Sequence, residues 1–287
     1  MLRVGFPIYL NTLPFLYHLS WGSLATLGRT GKMNGIELVF DVPSRLNEKL
    51  AVGEITCGLC SSVFYAKHYE DYILIPDISI SAVGKVKSVC LFHKVPLSEL
   101  SGKTIGITPE TETSFALLRL VLEKMKEIKP VYLKLNHSSR GLSKGEAQAF
   151  FETIDGYLAI GNEALELLYT EKFPYVTDLA EVWLEETGYP FVFALLLVRK
   201  EILSTYKKEL RSLAENLYLS RAKALADLSL IVKEHSSSLD KAFLLDYLHH
   251  LEFDFSGLKQ RAFLYFCQNL LDMGIISKIP TLKFVHF

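Results

Sequence analysis

Short polar side chains cluster at four positions where the sequence pattern changes from strand to helix. These junctions are Asn11-Thr12, Ser61-Ser62, the stretch from Thr108 to Ser114, and Gly161-Asn162. The first turn of a helix has free N–H groups and the positive end of the helix dipole. Hydroxyl and amide side chains there can therefore help to bind a carboxylate. The pattern favours an anion-binding site.

Capping is the alternative interpretation of each junction. Asn, Ser and Thr are also the preferred N-cap residues, so any one junction is explained without a ligand. In a two-lobed α/β protein, however, all four junctions would lie on the side of the cleft, where such folds bind their ligands. We therefore expect at least two of the junctions to contact a ligand.

Groups for acid–base chemistry do not stand out in the same loops. Glu110 and Glu112 fit the usual role of acidic residues as partners of a helix dipole. His18 and His68 lie in predicted helices, and His249-His250 are adjacent and point in different directions. No catalytic triad motif, phosphate-binding loop or cluster of metal ligands is present in the sequence. By spacing alone, the sequence is typical of a binding protein, and we expect no metal and no cofactor.

One C-x-x-C pair could suggest a metal or redox site. Cys57 and Cys60 lie along a predicted strand, where residues three apart point to opposite faces. No second pair completes a tetrahedral site. We interpret these two cysteines, and Cys90 and Cys267, as small buried hydrophobic residues.

Composition limits the class of protein. The 287 residues are 49% hydrophobic, which is enough for a large core, and 31 basic against 32 acidic side chains give a net charge of −1. We therefore expect no nucleic-acid partner and no attraction to an anionic membrane. The longest apolar run, residues 191–198, is far shorter than the roughly 20 residues of a spanning helix. The N-terminus lacks the pattern of a secretory signal, so we expect a cytoplasmic protein. The sequence predicts no oligomeric state.

The first hundred residues alternate strand and helix patterns. Strands are predicted at 2–6, 36–40, 55–59, 72–80 and 88–93, and helices from Thr12, over 43–50 and over 62–68. Pro43 and Gly53 are typical of a helix start and a helix end. This alternation predicts an α/β fold with mainly parallel sheets.

A second block of the same kind follows Lys94. Strands are predicted at 103–107, 130–133 and 155–160, with helices over 114–126, over 144–153 and from Asn162. A strand over 190–198 comes next. From Glu201 the chain is helical, with breaks near 236–238 and 253–257. The apolar residues of this tail must pack on another part of the protein, and the first lobe is the simplest candidate.

Two crossings between lobes are therefore predicted, near His93 and near Phe191. Lobe 1 comprises residues 1–92 and 191–287, and lobe 2 comprises residues 93–190. This connectivity is that of the type II periplasmic-binding-protein fold, in which the ligand lies between the lobes.

At these junctions the chain closely resembles the chorismate dehydratase family of the futalosine route to menaquinone. The resemblance covers nearly the whole chain. Its specific parts are GFPIYLNTLPF at 5–15, VPSRLN at 42–47, SSVFY at 61–65, ISAVGKVKSV at 80–89, TPETETS at 108–114 and GYPFVFA at 188–194.

A sister family of the same pathway, which makes dihydroxy-naphthoate, shares the fold but typically has a Pro-Asn-Asp turn after its first strand. The turn here, residues 10–14, favours the dehydratase. The chain departs from the dehydratase pattern at Asn162, where the family commonly has Asp, and at Ala82, where it commonly has a small polar residue.

The resemblance implies that chorismate loses water to give 3-[(1-carboxyvinyl)oxy]benzoate. We expect Asn11 to act in catalysis, with the substrate's own side-chain carboxylate as the candidate acceptor of the ring proton. The expected substrate-binding residues are Thr12, Ser61, Ser62, Ser88, Thr111, Thr113, Ser114 and Asn162. The alternatives are the sister naphthoate synthase and a non-catalytic protein that binds or senses a small anion.

Overall fold

The computed structural model describes residues 1–19, 31–33, 35–136, 138–235 and 237–287. Its strands, in chain order, are β1 (Leu2–Pro7), β2 (Gly31–Met33), β3 (Ile36–Asp41), β4 (Cys57–Ser61), β5 (Tyr72–Ala82), β6 (Val89–His93), β7 (Thr104–Ile107), β8 (Val131–Lys134), β9 (Gly156–Ile160), β10 (Tyr175–Asp178), β11 (Phe191–Arg199) and β12 (Leu251–Glu252). The first sheet has the order β12-β5-β11-β4-β1-β3-β2, and the second has the order β10-β6-β9-β7-β8.

Both sheets are mixed, so the prediction of mainly parallel sheets is wrong. β1 pairs in parallel with β3 and β4, and β7 pairs in parallel with β8 and β9. β11 lies antiparallel between β4 and β5, and β6 is antiparallel to β9 and β10. Parallel pairing follows from a helical crossover within one sheet. β6 and β11 instead enter their sheets directly after the chain has passed from the other sheet.

The helices surround these sheets. They are α1 (Leu13–Leu16), α2 (Pro43–Val52), α3 (Ser62–His68), α4 (Thr113–Arg119), α5 (Lys144–Glu152), α6 (Gly161–Tyr169), α7 (Leu179–Thr187), α8 (Lys207–Ala226), α9 (Leu228–Glu234), α10 (Lys241–His249) and α11 (Gly257–Asp272). Short 3-10 turns lie at Leu10–Thr12, Leu97–Glu99, Ser139–Gly141 and Lys200–Ile202, and a π-helix continues α4 over Leu120–Met125. No helix of the described residues is long and apolar enough to span a membrane.

Local signals place α2 well. Pro43 is its first residue, and Gly53 ends it in the left-handed conformation with φ of +81°. Glycine adopts this conformation without a steric penalty, so the predicted start and end are confirmed. By contrast, β10 and α7 were not predicted, and the helix predicted over 114–126 changes from α to π at Leu120.

The helical C-terminal tail packs on the first sheet, as predicted. Phe263 and Phe266 of α11 are buried, with ring centroids 6.1 Å from Tyr65 and 4.8 Å from Phe191. The tail also reaches the second sheet's helices, because the Phe266 ring lies 5.8 Å from that of Trp183 in α7. Of the predicted break near 236–238, Ser236 lies outside the described residues.

The first crossing comes earlier in the chain than predicted. Val89 pairs with Ile160 and His93 with Gly156, so all of β6 belongs to the second sheet. A boundary between residues 92 and 93 therefore cuts through a strand. The segment that joins the sheets is instead residues 83–88. The return at Phe191 coincides with the first residue of β11.

Candidate active site

A cavity lies between the two sheets and encloses about 590 Å³ of empty space, part of it open to solvent. Its polar lining comprises Tyr9, Asn11, Ser61, Ser88, Thr111, Glu112, Thr113 and Ser114. The remaining lining comprises Pro7, Pro43, Leu59, Ile80, Val86, Val89, Ile160, Gly161, Phe193 and Ala194.

Each of the four polar junctions contributes to this lining, but not with every residue. Asn11, Ser61 and Gly161 line the cavity, whereas their neighbours Thr12, Ser62 and Asn162 do not. The fourth junction contributes Thr111, Thr113 and Ser114. With Ser88, which also lines the cavity, six of the nine predicted site residues lie together.

The three predicted residues outside the lining bond to the protein instead. The Thr12 hydroxyl donates to the Pro7 carbonyl over 2.9 Å, and the Ser62 hydroxyl donates to the Val192 carbonyl over 2.8 Å. The Asn162 side-chain oxygen accepts from the Leu10 N–H over 3.4 Å. These contacts favour structural roles, because adjacent residues at a junction point to different sides.

Capping accounts for much of the N-terminus of α3. Ser61 Oγ accepts from the Phe64 N–H over 3.2 Å, and Thr113 Oγ1 accepts from the Val63 N–H over 3.1 Å. These N–H groups therefore donate to hydroxyls of the protein and are not free to bind an anion. Because Thr113 begins α4 and α3 follows the first sheet's β4, the contact also joins the two halves of the site.

Glu112 forms a network that the sequence reading missed. Its Oε2 accepts from Asn47 Nδ2 over 3.1 Å and from the Ser61 hydroxyl over 3.3 Å. Its Oε1 accepts from Lys67 Nζ over 2.7 Å. Glu112 makes no side-chain cap bond at α4. The carboxylate links the second sheet to α2 and α3 rather than serving only as a dipole partner.

Tyr9 closes one wall of the cavity. Its hydroxyl donates to Glu110 Oε2 over 2.5 Å, and its ring lies against Gly161. Gly161 has φ of +58°, and a Cβ there would lie 2.8 Å from ring carbons of Tyr9. Burial and the Glu110 carboxylate raise the pKa of Tyr9. Its proton therefore stays on the hydroxyl, bonded to Glu110, while the ring faces the site.

Tyr247 of α10 lies behind the lining and is also a residue that the sequence reading missed. Burial raises the pKa of its hydroxyl, and hydrogen bonding with the side chains of Ser88 and Asn11 partly offsets that effect. It comes from the C-terminal tail, where no local pattern distinguishes it from a core residue.

The cysteines fit their predicted role. Cys57, Cys60, Cys90 and Cys267 are buried and free, and desolvation raises the pKa of each thiol. Among the described residues, His, Cys, Asp and Glu form no group of three that could hold a metal ion.

Comparison with known proteins gives a consistent result. A family model described as menaquinone biosynthesis matches residues 2–271. A chorismate dehydratase of Thermus thermophilus is 32% identical over 214 residues, which are 69% of this chain and 70% of that protein. A chorismate dehydratase of Campylobacter jejuni is 27% identical over 205 residues, which are 71% of this chain and 70% of that protein.

Solved structures share the fold at low sequence identity. A protein of Archaeoglobus fulgidus superimposes with a TM-score of 0.68 at 19% identity, covering 96% of this chain and 98% of its own. The periplasmic aliphatic sulphonate-binding protein of Escherichia coli gives a TM-score of 0.63 at 13% identity, with coverages of 97% and 94%. The fold is thus the predicted periplasmic-binding-protein-like α/β fold. With the family model matching nearly the whole length and a dehydratase relative above 30% identity, the chain belongs to the menaquinone-biosynthesis family that includes chorismate dehydratases.

Proposed function

We propose that the chain is a chorismate dehydratase. It converts chorismate to 3-[(1-carboxyvinyl)oxy]benzoate and water, the first step of the futalosine route to menaquinone. The observation that carries this proposal is the cavity between the sheets, to which every polar junction contributes a lining residue. Two relatives of the chain, from Thermus thermophilus and Campylobacter jejuni, are named chorismate dehydratase.

The lining suits a substrate with two carboxylates. Ser88, Thr111 and Ser114 have hydroxyl groups at the cavity, and Asn11 adds an amide. α4 and α6 also begin at the cavity, with Thr113 and Gly161 in the lining, so the positive ends of their dipoles favour bound anions.

The elimination requires a group that accepts a ring proton while the neighbouring hydroxyl leaves. Glu112 is the carboxylate among the described lining residues, and its two oxygens already accept from Lys67, Asn47 and Ser61. Such a carboxylate is a poor candidate for the base. Because both Glu112 oxygens are already hydrogen-bonded, the substrate's own side-chain carboxylate is the better candidate to accept the ring proton.

Orientation is then the main contribution of the protein. Asn11 is buried in the cavity lining and lies beside Tyr247. We assign to it the positioning of the substrate carboxylate or of the departing hydroxyl. Apolar residues such as Leu59, Ile80 and Phe193 exclude water from the rest of the site, which strengthens these polar contacts. Aromatisation of the ring supplies the thermodynamic drive, so orientation of the substrate is what the protein has to add.

The test is to incubate the purified chain with chorismate and, in parallel, with cyclic dehypoxanthine futalosine, following both by mass spectrometry. Turnover of chorismate alone supports the proposal. Turnover of the futalosine compound alone would identify the sister naphthoate synthase. Tight binding of chorismate without product would identify a binding or sensing protein. A periplasmic sulphonate-binding protein shares the fold.

A further inference from the structure

The segment that first joins the sheets, residues 83–88, contains a strained turn beside the cavity. Lys87 has φ of +59°, a conformation that side chains other than glycine rarely adopt. The Ser88 N–H donates to the Val86 carbonyl over 2.7 Å. Val86, Lys87 and Ser88 therefore form a γ-turn with positive φ at its centre, the rare and strained form. Val86 and Ser88 both line the cavity, so this turn sets the position of two site residues.

Asp178 holds the backbone of this turn. Its Oδ2 accepts from the Val86 N–H over 2.9 Å and from the Lys87 N–H over 2.6 Å. Its Oδ1 caps α7 by accepting from the N–H groups of Ala180 and Glu181, over 3.0 and 3.2 Å. One carboxylate thus fixes the crossing segment to the second sheet. A strained backbone conformation persists where several surrounding contacts hold it in place, as they do here.

The side chain of Lys87 is held from the opposite side, by the C-terminal tail. Its Nζ bonds to Asp246 of α10 and lies 5.8 Å from the ring centroid of Phe243. Asp246 precedes Tyr247, whose hydroxyl lies beside Ser88 and Asn11. The Lys87 turn is therefore clamped between the second sheet and the tail, directly behind the cavity.

Asp178 itself is not among the lining residues, and its carboxylate oxygens accept from the protein's own N–H groups. We propose that Asp178 is a positioning residue for substrate binding, which holds the strained turn at Lys87 so that Ser88 and Val86 face the substrate. The identity of that substrate rests on the proposed function. The hydrogen bonds from Val86 and Lys87 to Asp178 do not depend on that function, because they are present in the free protein.

Asp178→Ser separates the two tasks of the carboxylate. Serine is a good N-cap, so it keeps the cap of α7, but it lacks the second oxygen that accepts from Val86 and Lys87. Asp227→Ser is the matched control, because Asp227 caps α9 by accepting from the Ser229 N–H and, among the described residues, bonds to no residue with positive φ. Asp178→Asn is the second variant if the serine variant does not fold, since one amide oxygen cannot serve both pairs of N–H groups.

Two measurements follow these variants. The first is the rate of backbone amide hydrogen exchange over residues 83–93 in the free protein. The second is the KM and kcat for chorismate from steady-state kinetics. Asp178→Ser is expected to speed exchange in this segment, because Lys87 is no longer held at positive φ. We expect KM to rise about tenfold, which matches the free-energy penalty of such a residue, with a smaller change in kcat. Asp227→Ser is expected to change neither.

Substitution of Lys87 by glycine tests the backbone explanation directly. Lys87→Gly and Lys87→Ala both remove the bond to Asp246, but only glycine adopts positive φ without a steric penalty. When each is combined with Asp178→Ser, we expect KM to be about tenfold lower for the glycine substitution than for the alanine substitution. With Asp178 intact, the two substitutions should give similar KM values. If the glycine and alanine substitutions give equal KM values in the Asp178→Ser background as well, the proposal is overturned.

The outcomes separate this inference from the proposed function. If the wild type does not turn over chorismate, the proposed function fails, while hydrogen exchange still decides whether Asp178 holds the turn. Unchanged exchange in Asp178→Ser overturns the hold. Faster exchange with an unchanged KM overturns the positioning role and leaves the proposed function standing.

Discussion

The hydroxyl of Tyr9 donates a 2.5 Å hydrogen bond to Glu110, joining the first strand-to-helix turn to the loop that follows β7 in the second sheet. The ring that carries this hydroxyl lies on Gly161, at the start of α6. Tyr9 therefore contacts two separate segments of the second sheet's half of the site. This contact closes the wall of the cavity beside Asn11.

Gly161→Ala should open that wall. A Cβ would lie 2.8 Å from the Tyr9 ring, and the φ of +58° adds the penalty for a left-handed residue, about 1–2 kcal/mol. The control is Gly102→Ala, where φ is +72° but nothing lies within 4 Å of the added Cβ. Urea unfolding should show a larger loss for Gly161→Ala, by about 1–3 kcal/mol for overpacking. Equal losses would show that the ring contact is unimportant.

Glu112→Gln tests whether Glu112 is the base. Because its oxygens accept from Lys67, Asn47 and Ser61, we expect the neutral variant to keep kcat within about tenfold of the wild type. Initial rates at saturating chorismate measure this. A fall of kcat by roughly 10³-fold or more, with the fold intact by circular dichroism, would instead assign proton transfer to Glu112.

Asn11→Ala should remove the positioning amide. We expect a loss of about 10²–10³-fold in kcat, the effect of deleting one donor that acts on the transition state. Asn216→Ala is the control, because in the described part of the chain the Asn216 side chain bonds within α8, to Ser212. Turnover of chorismate by Asn11→Ala at the parental rate, in a normally folded protein, would remove Asn11 from the mechanism.

Glu163 should make stability depend on pH. It is buried, and desolvation raises its pKa above the ordinary value of 4.5, although Ser139 and Tyr157 donate to it. The folded protein thus holds the proton more tightly than the unfolded chain does. The contribution of Glu163 is therefore fully present below about pH 4.5 and is lost as the pH rises through the raised pKa.

Unfolding free energies of the wild type and Glu163→Gln, compared between pH 4.5 and 8, measure this contribution. Relative to the variant, the wild type should become less stable as the pH rises. Glu146→Gln is the control and should show no such trend over this range, because hydrogen bonds with Ser143 lower the pKa of Glu146 and place its titration below pH 4.5. Its contribution is present above pH 4.5 and is lost as the pH falls through the lowered pKa. A wild-type advantage over Glu163→Gln that grows with pH would contradict the assignment.

Local sequence signals were sufficient for much of the fold. The pattern of Pro43 and Gly53 set the ends of α2, and the alternation of apolar residues located most strands. The direction of strands β6 and β11 could not be predicted in this way. It depends on how the chain passes between two sheets, which periodicity within one segment does not record.

The site was predictable to the level of the junctions but not of single side chains. Asn11 and Thr12 are adjacent and chemically similar, yet only Asn11 lines the cavity, because Thr12 turns back to the Pro7 carbonyl. Which neighbour faces the ligand depends on tertiary packing. The roles of Glu112 and Tyr247 depend on partners far away in the chain, so no local spacing could reveal them.

The most direct test of the central claim is product analysis after incubation of the purified wild-type chain with chorismate. We predict loss of chorismate and stoichiometric appearance of 3-[(1-carboxyvinyl)oxy]benzoate, lighter than chorismate by one water. The Asn11→Ala variant, treated in the same way, should leave most of the chorismate unchanged. Recovery of intact chorismate from a folded wild-type protein, whether bound or free, would contradict the assignment of this cavity as a dehydratase active site.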